Sequence, residues 1–143
     1  MIKMIHSTWA IITLVILIVA VVNAVIGLTS KKEFTDKSLR ISLFALIVTH
    51  IQLIIGLITF FTSASFSFLR ENGMGAVMKD ATARLFIVEH PLMMILAVVF
   101  LTIGFSKQKN KKTDFTKFKT IANFYGIALL LVLSRIPWSQ WLN

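Results

Sequence analysis

The sequence predicts an all-α protein: a four-helix transmembrane bundle with short basic cytoplasmic loops and a longer, partly helical outer segment. Three observations predict it. Of 143 residues, 57% are hydrophobic and only 15% charged, far from the balance of an ordinary soluble domain. Four uncharged apolar stretches recur along the chain, each close to the length needed to cross about 30 Å of hydrocarbon. The basic residues gather in alternate connections between those stretches, which also accounts for a net charge of +9 without a nucleic-acid partner. Residues 1–143 form a single transmembrane domain.

The apolar cores of the spans are Trp9 to Leu28, Ile41 to Phe61, Leu92 to Phe105 with a lead-in from Leu85, and Ile121 to Ser134. With their flanks they cover about 7–28, 40–62, 84–105 and 118–137. The third reaches spanning length only with Glu89 and His90 inside the helix. The fourth reaches it with Phe115 or Phe118 at one end and Trp138 at the other as interfacial anchors. An unpaired backbone group is costly in lipid, so each span should be α-helical, and no period-2 alternation argues for a barrel. The first span is too long for a signal-peptide core, and its basic residues follow it rather than precede it.

The connection Thr29 to Arg40 carries Lys31, Lys32, Lys37 and Arg40; Ser106 to Thr120 carries Lys107, Lys109, Lys111, Lys112, Lys117 and Lys119. The positive-inside rule then puts both termini and the Ser63 to Ala83 segment on the non-cytoplasmic side. That outer segment mixes Phe66, Phe68, Leu69, Met74, Val77 and Met78 with polar residues, as expected of a stretch lying in the interface or over the bundle. The lysine run from Lys107 to Lys119 is a topology signal, with docking of an anionic lipid or partner as a second role.

No cysteine is present, which excludes disulfides, cysteine-ligated zinc, iron–sulfur clusters and thiol catalysis. No nucleophile elbow, metalloprotease helix or phosphate-binding glycine loop supports a hydrolytic enzyme. The chemistry therefore rests on three histidines and their neighbours. His6 lies at the outer end of span one, His90 about a turn and a half to two turns inside the outer end of span three, and His50 near the middle of span two. Spans one and three run parallel, so His6 and His90 share a layer, with Arg84, Glu89 and Arg135 in it. Phe86, Met93 and Met94 share the helix face of His90.

Ionisable side chains within a membrane face the bundle interior by default and mark function. Two neutral imidazoles from different helices can hold a haem iron axially, in the core of a four-helix bundle. On that reading His6 and His90 are the metal ligands. Arg135 and Arg84 meet the propionates, Met94 walls the ring, and Glu89 takes the second ring proton of a histidine. No covalent haem attachment motif occurs. His50 suits either a second cofactor or a hydrogen bond to a serine, a threonine or Gln52. The plain alternatives are an interfacial His6, packing methionines and arginines that snorkel to headgroups.

The segments His6-Ser7, His50-Ile51-Gln52-Leu53-Ile54-Ile55-Gly56, Glu89-His90-Pro91-Leu92-Met93-Met94 and Ser134-Arg135-Ile136-Pro137-Trp138 together resemble small bacterial membrane proteins labelled cytochrome b-like. The resemblance covers nearly the whole chain. A weaker one is to half of haem A synthase, which would make His6 and His90 the axial pair and Gln52 with Gly56 the packing stretch of span two. Here the outer segment is longer, only one half is present, and His50 has no counterpart. The resemblance implies haem b, a multi-pass place in the bacterial inner membrane, and electron transfer near the non-cytoplasmic face, with a quinone or a larger respiratory complex as partner. The competing expectations are a noncatalytic subunit of a membrane complex, or a homo-oligomeric small transporter or proton relay built on His50, Glu89 and Arg135.

Overall fold

A computed structural model describes residues 1–141, and every regular element among them is helical. Four helices are long and apolar enough to cross a membrane: α1 (Ile2–Thr29), α2 (Asp36–Phe61), α4 (Ala81–Lys109) and α5 (Asp114–Ser134). Between α2 and α4 runs α3 (Ala64–Lys79), and α6 (Trp138–Trp141) closes the described chain. The helices overrun the predicted spans into the interfaces, except that α2 ends just short of 62, at Phe61, and α5 ends early. There the helix stops at Ser134 rather than 137, because Pro137 cannot continue it and restricts the residue before it.

Side-chain caps set most of the starts. Thr35 accepts from the Ser38 amide, Ser63 from that of Phe66, and Asp80 from those of Thr82 and Ala83; Thr113 and Thr116 form a capping box for α5. Within α3, Gly73 takes φ 82°, a conformation open to glycine, and bends the segment. The outer segment is thus more helical than expected, in two pieces joined at Gly73.

The four spans pack in a ring, α1 beside α2, α2 beside α4, α4 beside α5 and α5 beside α1. The diagonal pairs, α1 with α4 and α2 with α5, face each other across the axis. Outward faces carry Ile11, Val15, Ile18, Phe44, Ile54, Val99, Ile103 and Leu130, as lipid contact requires. The interior instead uses small residues: Ala20, Ala24, Ala45, Ala97 and Ala128 are nearly inaccessible. With lipid as the alternative neighbour, close backbone approach and dispersion hold helices together rather than the exclusion of water.

Tyr125 is the largest side chain in that core. It reaches from α5 across the axis to α2, where its hydroxyl donates to the Ser42 carbonyl at 2.7 Å. Tyr125→Phe keeps the ring and deletes this diagonal bond. It should lower the unfolding free energy in mild detergent by about 0.5–1.5 kcal/mol; an unchanged denaturation midpoint would show that the bond contributes nothing.

Burial is uneven along the axis. In α1 the buried residues begin at Thr13, in α2 they end at Thr49, and in α5 they end at Ala128. In α4 they lie from Ala97 onward, apart from Ile87 ahead of His90. The buried side chains are therefore concentrated in the half of the bundle next to the two basic loops. The half next to the termini is more loosely filled, with its interior side chains partly exposed.

Candidate cofactor site in the loosely packed half

In this loose half, α1 and α4 present their histidines to each other across the diagonal. The rings of His6 and His90 lie 6.4 Å apart, centre to centre, with planes at 87°. Both are partly buried. Their approach from parallel, diagonally placed helices agrees with the shared layer expected from the sequence.

Each ring is held through Nδ1. His90 Nδ1 lies 2.8 Å from the Arg135 carbonyl; a carbonyl can only accept, so Nδ1 carries the proton and Nε2 presents a lone pair. On the other side, Gln52 from α2 places its amide nitrogen 3.1 Å from His6 Nδ1 and 3.0 Å from the His6 carbonyl. It donates to both, which leaves the His6 proton on Nε2. The Gln52 amide oxygen is buried without a partner. Neither Nε2 has a hydrogen-bond partner among the described residues.

Local sequence explains this placement. Pro91 lacks the N–H that would bond four residues back, and its ring crowds the carbonyl at that position. The helix responds with a wide turn over Leu85–Glu89, closed by the His90 N–H to the Leu85 carbonyl. One added residue per turn rotates His90 relative to Arg84 and Leu85, and such π-turns recur at functional positions. Nothing in the apolar pattern announces the turn; the proline inside a span was its only signal. On the α1 side, Gly56 leaves room for His6: a Cβ there would lie 3.3 Å from Cε1 of the ring. Trp9 Nε1 and the Thr13 hydroxyl both donate to the Val48 carbonyl, fixing α1 against α2 beneath it.

The charged groups differ from expectation. Glu89 orients no histidine. It bridges two guanidinium groups, at 3.2 Å from Arg84 Nε and 3.6 Å from Arg135 Nε, because the wide turn aims it at the rim rather than at His90. Arg84 also donates to the Met78 carbonyl, tying α3 to α4. Arg135 thus holds the layer twice, its backbone on His90 and its side chain on Glu89. The two arginines are gathered at the mouth of the site, and Met94, half-buried, lies one turn deeper than His90.

His50 is not brought to this layer. Its Nδ1 donates to the Leu46 carbonyl at 2.7 Å, and Nε2 lies 3.4 Å from the Thr102 hydroxyl of α4. Thr102 is twelve residues beyond His90, about 18 Å along the helix. Of the two roles expected for His50, the interhelical contact to a threonine is the one the structure shows. Among the described residues no group of three or more His, Cys, Asp or Glu could hold a metal ion, so the candidate donor set is the histidine pair alone.

A planar cofactor held by two axial imidazoles has a simple spacing requirement. With metal–imidazole bonds of about 2 Å and each ring centre about 1 Å behind its nitrogen, two rings sharing one metal stand about 6 Å apart. The observed ring-centre separation matches this figure, and the buried apolar side chains beside the pair are Ile87 of α4 and Val77 of α3. Comparison with protein-family models, with curated proteins and with solved structures gives no match to this chain.

Proposed function

We propose that this protein is a b-type haem protein of a bacterial inner membrane that carries single electrons near the non-cytoplasmic face. The observation that carries the reading is the His6–His90 pair, 6.4 Å apart across the bundle diagonal in the half that the helices leave loosely filled. His6 and His90 would hold the iron, Met94 would flank the macrocycle, and Arg84 and Arg135 would stand near the propionates. Haem, when bound, supplies one-electron exchange between ferric and ferrous states. The orientation is supported by ten of fifteen basic residues lying in the two connections opposite the site and on the helix ends beside them. A quinone or a membrane-complex subunit is the partner a site near one face suits.

The chain's own residues prepare the ligands. The Arg135 carbonyl fixes His90 with its proton on Nδ1, so that Nε2 can ligate. For His6 the same tautomer requires the Gln52 amide to turn over, placing its unpartnered oxygen against a protonated Nδ1 and giving up the bond to the His6 carbonyl. Glu89 between the arginines limits their positive charge until an anionic group arrives.

Haem titrated into the purified apoprotein should saturate at one equivalent per chain. Gln52→Leu removes the partner of His6 Nδ1 and should weaken binding by about tenfold, the lower range for the loss of an outer-shell group at a metal site. Saturation far from one per chain, or affinity unchanged by Gln52→Leu, would count against this arrangement.

A further inference from the structure

A second site lies at the opposite end of the bundle, on the seam between α1 and α2. On α1, Ile16, Val19, Asn23 and Gly27 fall on one face at helical spacing; on α2, Lys37, Ile41 and Phe44 do the same. Two recesses occupy the seam. One, of about 330 Å³, is walled by Ile16, Val19, Ile41 and Phe44, with Lys37 and Arg40 at its mouth. The other, of about 390 Å³, takes in Asn23, Lys32, Glu33, Thr35, Lys37 and Ser38. Lys37 lines both, and the second also reaches Phe118 of α5.

Such a shape, apolar toward the bilayer centre and polar at its edge, is complementary to an amphiphile. Three cations, Lys32, Lys37 and Arg40, line the recesses with one carboxylate, Glu33, and Asp36 stands beside them in the first turn of α2. The ion pairs among the described residues are those of Glu89 with Arg84 and Arg135, so these cations are not neutralised within the chain. The Asn23 amide, six residues before the end of α1, and the Ser38 hydroxyl, in the first turn of α2, make no side-chain hydrogen bond among the described residues and are open to a polar partner at the bilayer edge.

We propose that this seam binds one anionic glycerophospholipid. Its phosphate sits on Lys37 and Arg40, its headgroup reaches Asn23, Ser38 and Lys32, and an acyl chain lies along Val19, Ile41, Ile16 and Phe44. The site is independent of the histidine pair and lies on the other basic loop from the lysine run of residues 107–119.

The test uses full-length protein in nanodiscs of phosphatidylcholine doped with phosphatidylglycerol, with retained lipid counted by native mass spectrometry. Wild type should keep one phosphatidylglycerol per chain. Lys37→Ala/Arg40→Ala should lower its apparent affinity by about tenfold or more, given the worth of each basic side chain at an anionic surface, with an unchanged melting midpoint in pure phosphatidylcholine. Lys111→Ala/Lys112→Ala, with the same change in net charge, should keep the lipid. Val19→Trp, which fills the apolar groove and leaves every cation in place, should also expel it. Equal retention by wild type and Lys37→Ala/Arg40→Ala, or an equal loss in Lys111→Ala/Lys112→Ala, would overturn the site in favour of diffuse attraction.

Discussion

Replacing either histidine of the diagonal pair, His6→Ala or His90→Ala, is expected to remove most of the bound haem, lowering affinity at least tenfold, since loss of an outer-shell group alone costs that much. The two losses should be similar in size, because each variant leaves one axial bond and one open position. They should differ in secondary effects. His90→Ala also frees the Arg135 carbonyl that its Nδ1 engages at 2.8 Å, which loosens the end of α5, whereas His6→Ala leaves Gln52 with its bond to the backbone of residue 6. His50→Ala is the control. That ring bonds Leu46 and Thr102, several turns from the pair, so haem content should be retained while stability falls modestly. Haem lost equally from all three variants would mean a general loosening of the bundle. Haem retained in His6→Ala and His90→Ala would place the iron elsewhere.

The second large effect concerns the packed half. Gly104 on α4 lies so near α5 that an added Cβ would collide with the Cβ of Phe124. That atom is fixed to its backbone, so the helices themselves must part. Gly104→Ala should therefore destabilise the protein by about 1–3 kcal/mol, the usual cost of overpacking. Gly27 faces a softer version: a Cβ there would lie 2.5 Å from the Phe118 ring, which can shift at some expense to its edge contact with Phe34. Gly126 offers the contrast. Nothing lies within 4 Å of a Cβ at that position, so Gly126→Ala should be neutral or gain up to about 1 kcal/mol from helix propensity. Thermal or SDS-induced unfolding of the three variants measures this; equal effects at 104 and 126 would remove close approach as the reason for glycine.

The contrast between these glycines marks what could be read from the sequence. Spacing and apolarity placed four helices and paired His6 with His90 in one layer, because both follow from helix rise and alternating direction alone. Rotation about each helix axis does not follow from them. Nothing in the sequence separates Gly126 from Gly104 or turns Glu89 away from a histidine, because an almost uniformly apolar helix carries little information about which face turns inward. The wide turn before Pro91 adds to that ambiguity, since it changes the angular position of Arg84 relative to everything after it. The resemblance to haem A synthase makes Gln52 part of a packing stretch; its grip on His6 depends on the crossing of α1 and α2. The recess at Lys37 and Arg40 is hidden for a different reason: those residues read fully as topology signals, and their place above an apolar groove shows only in the structure.

The central claim is that two imidazoles share one iron in the loosely packed half of the bundle. The absorbance spectrum of the detergent-solubilised protein, first oxidised and then reduced, tests it most directly. A Soret band that sharpens and shifts on reduction, with resolved bands at longer wavelength as expected for two nitrogen ligands, is the result predicted. Protein isolated from haem-replete cells with no Soret absorption, especially if it carries a stoichiometric membrane partner instead, would contradict it.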